Sequence, residues 1–209
     1  MTNNKEIYYK FFTKNIGFSK GIYKGLNCGI SSKDNPSDVM KNINYAKKQI
    51  NSSDKIIVMA NQSHSNKCII LNKASDNIGS ADGLVTKSSE LVLGITTADC
   101  IPLIFFDNQN GIIGICHAGW KGLSNGIIEN TIEKMIKIGS STQFIKVIIG
   151  PCIRQYSYEV NNDFLKPSPT KPNEPLEAHA PQGISKSSSE TIQAQKRDKN
   201  STGLFKGLR

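Results

Sequence analysis

The sequence predicts a mixed α/β fold. Short runs of β-branched and aromatic residues alternate with two longer stretches in which apolar residues recur at helical spacing. The connections between these segments are mostly short, and the chain shows no internal repeat. With 209 residues and 37% hydrophobic content, the chain can bury a core as one domain, or as one domain with a tail.

Six segments are predicted strands because each is a short run dominated by apolar residues. They cover residues 56–60, 67–71, 91–96, 102–106, 111–116 and 144–149. A further short apolar run occupies residues 8–13. The polar segment 107–111 separates two of the predicted strands, which indicates a hairpin.

Two segments are predicted helices. In residues 35–50, Pro36 suits a first helical turn, and one face collects the apolar residues Val39, Ile43, Ala46 and Ile50. In residues 123–138, a similar stripe is formed by Ile127, Ile128, Thr131, Ile132, Met135 and Ile136. Gly139 ends this second pattern, as glycine commonly does after a helix.

The composition changes near residue 165. Beyond it the chain is rich in serine, lysine, glutamate and alanine, and it contains Pro167, Pro169, Pro172, Pro175 and Pro181. Such a composition buries too little apolar surface to offset the entropy of an ordered chain. We therefore predict a folded domain over residues 1–165. A tail over 166–209 is predicted to be largely disordered, with a short weak helix around 187–196.

The charge and hydropathy of the chain restrict the classes of molecule that we expect it to bind. The chain has 26 Lys and Arg against 17 Asp and Glu, a net charge of +9, but the lysines are scattered. Because no DNA- or RNA-reading motif is present, we expect no nucleic-acid partner. No apolar run is long enough to span a bilayer, and the first residues lack a signal-peptide core. These features predict a cytoplasmic protein with no membrane partner, whose basic surface favours anionic substrates such as phosphate.

Three polar motifs, at residues 97–100, 117–122 and 150–152, each directly follow a predicted strand. Strand ends present side chains to a shared crevice. Two of these motifs contain Cys100 and His117, and an earlier loop contains His64. Histidine and cysteine are zinc ligands, and three protein ligands leave one coordination position open for chemistry.

Each of these three residues also has a structural interpretation, because their spacing carries no local signature. His64 could be an ordinary loop histidine, Cys100 a buried thiol, and His117 a ring that packs at a strand end. Cys100 and His117 could instead act as a thiol nucleophile and its base.

Two charged neighbours are further candidates. Asp99 could orient water or move a substrate proton, or it could bond the amides of a turn. Lys121 lies between two glycines before the second predicted helix, where it and nearby amides could hold an anion. The alternative for this segment is a tight connection between a strand and a helix.

Four motifs occur in a characteristic order: Ala-Asp-Gly-Leu-Val-Thr at 81–86, Thr-Ala-Asp-Cys-Ile-Pro-Leu at 97–103, His-Ala-Gly-Trp-Lys-Gly at 117–122, and Gly-Pro-Cys-Ile at 150–153 with Tyr-Glu-Val at 158–160. This ordered set resembles the YfiH/LACC1 family of laccase-domain (polyphenol oxidase) proteins, also known as purine nucleoside phosphorylases. Segments 17–21 and 26–29 are similar to the N-terminal part of the family. The resemblance runs from about residue 11 to residue 160.

The resemblance implies a four-layer α/β/β/α sandwich with zinc held by His64, Cys100 and His117. It implies catalytic roles for Asp99 and Cys100, and substrate contacts by Asn27 and Lys121. The implied substrates are purine nucleosides and phosphate. The implied reactions are phosphorolysis of adenosine, inosine, guanosine and methylthioadenosine, and deamination of adenosine.

The same resemblance leaves alternatives open. The laccase label implies copper and phenol oxidation, and some members are linked to editing of peptidoglycan precursors. Lys14 and Lys121 stand where the family usually has arginine. Nothing in residues 161–209 resembles the C-terminal segments of the family, so we predict an incomplete C-terminal part. An inactive paralogue that acts as a binding module is therefore a third possibility.

Overall fold

The computed structural model describes residues 6–74, 78–159 and 201–206 of the chain. These described residues form nine strands, β1 to β9, at Tyr8–Thr13, Ile56–Met59, Cys68–Leu71, Gly83–Thr86, Leu91–Thr97, Ile101–Asp107, Ile112–Ala118, Lys146–Ile149 and Ser201–Lys206. The helices α1, α2 and α3 are Pro36–Gln49, Trp120–Ser124 and Ile127–Lys137. The described residues include no helix with the length and hydropathy that a membrane crossing requires.

The strands form two sheets, and both mix parallel and antiparallel pairs. The first has the order β1-β9-β5-β2, with β2 and β5 parallel and β9 antiparallel to both of its neighbours. The second has the order β3-β4-β7-β6-β8, in which only β3 and β4 run parallel. The predicted mixed α/β class is confirmed.

Alternating side chains pack the two sheets against each other and against helices, as the twofold period of a strand dictates. In β5, Leu91 and Leu93 enter the core between the sheets, whereas Val92 contacts the cluster that includes α1. In β7, Ile115 enters the same central core, whereas Cys116 faces the cluster that includes α3. The layers therefore run helix, sheet, sheet, helix, which confirms the four-layer arrangement.

The hairpin predicted at residues 107–111 connects β6 to β7. The buried Asp107 carboxylate accepts hydrogen bonds from the backbone N–H groups of Gln109 and Asn110. It also accepts the Ser140 hydroxyl at 2.6 Å, which connects the turn to the segment after α3. Gly111 adopts a φ of 68°, which glycine tolerates better than other residues and which closes the turn.

The prediction of one continuous helix over 123–138 is wrong. Helix α2 ends at Ser124, and α3 begins at Ile127. Between them Gly126 has a φ of 83° in the left-handed region, where no α-helix can continue. The apolar spacing continues on both sides of this break, so periodicity alone does not reveal it. Strand β4 also lies outside the predicted strands, because it is a run of only four residues that begins with glycine.

The C-terminal segment is described only at residues 201–206. There the chain forms β9, which the sequence does not predict and which lies between β1 and β5. Pairing with distant strands explains why local composition gives no sign of it. The rest of the predicted tail, including the weak helix around 187–196, lies outside the described residues, and the domain boundary near 165 stays a prediction.

A buried asparagine of α1 fixes the loop that follows β1. The side chain of Asn42 accepts a hydrogen bond from the Phe18 N–H at 2.8 Å. Its amide nitrogen donates to Ser19 Oγ, to the Gly25 carbonyl and, at 2.8 Å, to the Asn27 carbonyl. A single buried side chain thus holds a whole loop segment.

We expect Asn42→Ala to reduce the free energy of unfolding by roughly 3 kcal/mol, because several buried polar groups lose their partner. Urea denaturation measures this change. The exposed Asn44 of the same helix supplies the matched control, since Asn44→Ala removes the same amide from a solvated face. Equal effects of the two substitutions would contradict the role of Asn42.

Candidate metal centre

Three metal-ligating side chains meet at one end of the second sheet. His64 lies in the loop between β2 and β3, Cys100 directly precedes β6, and His117 lies near the end of β7. Pairing of β6 with β7 sets Pro102 opposite His117, which brings Cys100 close to the histidine. The potential ligand atoms of the three side chains all lie within 4.8 Å of one another.

The three ligands line a cleft and differ in their exposure to solvent. His117 is only 3% exposed and forms its floor, Cys100 is half-buried, and His64 is exposed at the rim. The two imidazole rings meet edge to face, with centroids 4.7 Å apart. One side of the cluster is thus closed by protein and the other is open to solvent, as a site with an open coordination position requires.

A buried carboxylate orients His117. Asp82, which directly precedes β4, is fully buried, and its Oδ1 lies 2.8 Å from His117 Nδ1. Because an ionised carboxylate can only accept, this contact keeps a proton on Nδ1 and leaves Nε2 for a metal. The backbone reinforces the pair, since the His117 N–H donates to the Asp82 carbonyl at 2.7 Å.

The same carboxylate shapes the His64 loop. It accepts hydrogen bonds from three consecutive N–H groups, those of Ser63, His64 and Ser65, and from the Ser65 hydroxyl. His64 itself has a φ of 60°, a left-handed conformation that is uncommon for a residue other than glycine. Asp82 therefore stabilises an unusual backbone turn that aims His64 at the other two ligands.

These contacts shift the pKa values of Asp82, His117 and His64. Burial would raise the pKa of the Asp82 carboxyl, but hydrogen bonds from His117 and Ser65 outweigh it and hold the pKa well below its usual range. Burial alone would lower the pKa of His117, but Asp82 and Cys100 raise it to about 9. The pKa of His64 is lowered, chiefly by desolvation and then by His117, which favours the neutral imidazole, the form that binds a metal.

The spacing between two of the donors, His64 Nε2 and Cys100 Sγ, fits a tetrahedral zinc ion. Zinc binds imidazole nitrogen at about 2.0–2.1 Å and thiolate sulfur at about 2.3 Å, which sets a neighbouring nitrogen and sulfur about 3.6 Å apart. Here His64 Nε2 and Cys100 Sγ lie 3.8 Å apart. The donor set of two imidazoles and one thiol matches the ligand preference of zinc, so the residues present fit this ion.

A glycine makes room for the cluster. Gly119 caps α2, and a Cβ built on it would lie 2.7 Å from His64 Cδ2 and 3.2 Å from Cys100 Sγ. Its backbone angles, φ −73° and ψ 162°, are open to any residue. The glycine is therefore required by the space that the two ligands occupy rather than by its backbone conformation.

Two of the other predicted residues lie next to the cluster. Asp99 adjoins Cys100, and its carbonyl accepts the Ile153 N–H at 2.9 Å. Lys121 is exposed on α2, with its Nζ 5.5 Å from the Trp120 ring centroid, and its charge contributes to the lowered pKa of His64. Their roles toward a substrate stay predictions.

The side chain of Asn27, the remaining predicted site residue, makes its hydrogen bonds within its own loop. Its amide donates to Ser32 and Asp34, and its Oδ1 accepts the Gly29 N–H. The side chain thus folds the loop that follows it. This loop lines a cavity of about 190 Å³. The other walls of the cavity include Gln62, which precedes His64 along the chain, and Thr96, which precedes Cys100. Asn27 shapes a wall of the cavity.

Three residues of the site have no role in the sequence prediction. Asp82 occurs in one of the motifs, but its partners come from distant segments. The Gln62 amide pairs with the backbone of Thr96 at 2.7 and 2.8 Å and so joins the His64 loop to β5. Tyr158 lies beside the cluster, since burial and then the negative charges of Cys100 and Asp99 raise its pKa. The one signal in the sequence is that Asp82 and Tyr158 fall inside conspicuous motifs.

A family model described as multi-copper polyphenol oxidoreductase laccase matches residues 8–198 of this chain. The chain belongs to this family. The match confirms the resemblance predicted from the motifs, and it extends beyond residue 160, the predicted end of that resemblance.

Similar proteins support the same family. A purine nucleoside phosphorylase of Rickettsia prowazekii is 36% identical over 163 residues, which are 78% of this chain and 65% of that protein. The adenosine deaminase RL5, from an unknown prokaryotic organism, is 32% identical over 53% of this chain and 45% of its own length. The crystal structure of the Bacillus licheniformis hypothetical protein YfiH superimposes with a TM-score of 0.70 at 28% identity. That superposition covers 76% of this chain and 63% of the other. The chain thus spans about two thirds of the Rickettsia relative.

Proposed function

We propose that this protein is a zinc-dependent enzyme acting on purine nucleosides in the cytoplasm. The reactions are phosphorolysis of adenosine, inosine, guanosine and methylthioadenosine, and deamination of adenosine. The observation that carries this proposal is the convergence of His64, Cys100 and His117 around a cleft with one open side. The names of the two similar enzymes supply the substrate class.

Zinc is the proposed metal, held by the two imidazoles and by the Cys100 thiolate. A zinc ion held there would supply Lewis-acid chemistry toward a substrate oxygen, nitrogen or water. Among the residues that the structure describes, this triplet is the cluster with metal-ligand geometry. A multicopper oxidase needs ligands for several ions, so we favour zinc over the copper chemistry in the family description.

Three residues of the chain have proposed roles in the reaction besides metal binding. Asp99, next to a ligand and half-buried, is the proposed residue that accepts and returns a proton at the substrate. Lys121, on the open side, is the proposed phosphate contact. The loop held by Asn27 forms one wall of the proposed nucleoside site, so Asn27 acts on the substrate through that loop.

The test of this proposal is product analysis. Folded, zinc-loaded protein is incubated with adenosine, with and without phosphate, and adenine, inosine and hypoxanthine are separated. We expect adenine only when phosphate is present, and inosine in both cases. Absence of all three products from folded, metal-loaded protein would contradict the proposal and favour a binding module instead.

We expect Lys121→Ala to raise the KM for phosphate by about tenfold or more, because a charged hydrogen bond to the anion is lost. Deamination of adenosine needs no phosphate, so its rate should change little. Steady-state kinetics of both reactions measure this difference. Lys137→Ala, which removes an exposed lysine from α3, is the matched control. A KM for phosphate that is equal in both variants would contradict the role of Lys121.

A further inference from the structure

The contacts of Asp82 favour its ionised form. Three of its five partners are backbone N–H groups, which can only donate, and they reach both carboxylate oxygens: Oδ2 accepts from Ser63 and Ser65, and Oδ1 accepts from His64. Ser65 Oγ and His117 Nδ1 are the other two partners, and hydrogen bonds of this number to a carboxyl group stabilise its charged form. The buried carboxylate is therefore a fixed negative charge directly behind the metal ligands.

The negative charge of Asp82 changes the net charge of the metal site. The Cys100 thiolate supplies one negative charge and Asp82 a second, while both imidazoles bind a metal as neutral groups. A divalent cation makes the three ligands and Asp82 neutral as a set, whereas a monovalent cation leaves one negative charge uncompensated. Asp99 and Lys121 carry opposite charges and lie closer to solvent, where water and salt screen them more strongly than the fully buried Asp82.

We propose that Asp82 is a specificity-determining residue that makes this site select divalent zinc over monovalent copper. The inference rests on the proposed metal site and deepens it. Ligand chemistry alone does not make this choice, because thiolate and imidazole also suit copper in its monovalent state. The buried carboxylate adds a preference based on charge, because its Coulomb attraction for a divalent cation is about twice that for a monovalent one.

The test compares two metal affinities in wild type and in Asp82→Asn. Metal-free protein is titrated with Zn²⁺ against a competing chelator, and with Cu⁺ under anaerobic reducing conditions against a copper-selective chelator. We expect Asp82→Asn to weaken Zn²⁺ binding by about 10–100-fold. The factor for Cu⁺ should be about the square root of that for Zn²⁺, because the lost attraction is half as large.

Two control variants separate charge from position. Ser65→Ala removes one hydrogen bond to Asp82 but keeps its charge, so both affinities should fall by the same small factor. Asp107 is an equally buried carboxylate that accepts backbone N–H groups of a distant hairpin. Asp107→Asn should reduce stability and leave both metal affinities unchanged. If Asp82→Asn does not fold, Asp82→Ser replaces it, since the smaller side chain leaves room for a bridging water.

The outcomes are distinguishable. A larger loss for Zn²⁺ than for Cu⁺ in the Asp82 variant, with equal losses in Ser65→Ala, supports the inference. Equal losses of both metals in the Asp82 variant would overturn the selectivity role while leaving the metal site and the proposed activity intact. Failure of the wild-type protein to bind Zn²⁺ would overturn the metal site and the inference together.

Discussion

His117→Ala is expected to abolish zinc binding and both nucleoside reactions. His117 is the most buried of the three ligands and the one fixed directly by Asp82. Alanine leaves two ligands, one exposed and one half-buried, and it also leaves the Asp82 carboxylate without its imidazole partner. Removing one partner of a buried charge costs roughly 3–5 kcal/mol, so the free energy of unfolding should fall by about this amount.

Zinc content, product formation and urea denaturation measure the three consequences of this substitution. His117→Asn is a second variant, because its Nδ2 is as far from Cβ as the imidazole Nδ1, so it can still donate to Asp82 and restore part of the stability without restoring the ligand. His179→Ala provides a control at the third histidine of the chain, to which we assign no ligand role. Full phosphorolysis by zinc-free His117→Ala protein would contradict the metal-dependent mechanism.

Gly119→Ala is expected to weaken zinc binding by at least about tenfold, which is the usual effect of disturbing the surroundings of a ligand. The added methyl group would overlap the His64 ring and press on Cys100, so at least one ligand must move. The backbone angles of Gly119 suit alanine, and therefore the folded protein should lose little stability. The substitution separates the geometry of the ligands from the stability of the fold.

Chelator competition and thermal unfolding measure these two quantities for Gly119→Ala. Ser124→Ala lies on the same helix, removes an exposed hydroxyl and should leave zinc affinity unchanged. Wild-type zinc affinity in Gly119→Ala would show that the ligands are not held as close together as the structure indicates.

Much of the central fold could be predicted because the signal is local. Strands β5, β6 and β7 are dense apolar runs, and the hairpin between the last two carries turn residues. The helical spacing does not reveal the break at Gly126, because the apolar residues Trp120, Leu123 and Ile127 continue at that spacing across it. Strand β9 depends on pairing with β1 and β5, which are distant along the chain.

In the candidate site, too, local features could be predicted and those that depend on the tertiary fold could not. The ligand types at His64, Cys100 and His117 predict a metal from their side-chain chemistry, and two of these residues adjoin strand ends that meet in one sheet. The role of Asp82 could not be foreseen, because its five partner groups come from one loop and one strand that only the tertiary fold brings together. The substrate contact of Asn27 stays a prediction, and the structure adds that its side chain bonds to neighbours within its own loop.

X-ray absorption at the zinc edge tests the central claim most directly. The measurement uses wild-type protein purified without added metal, and it reports the atoms bound to the ion. We predict a four-coordinate zinc with one sulfur at about 2.3 Å and two imidazole nitrogens at about 2.0–2.1 Å. A zinc shell without sulfur would contradict the assignment of Cys100 as a ligand, and a protein that binds copper and no zinc would contradict the assignment of the metal.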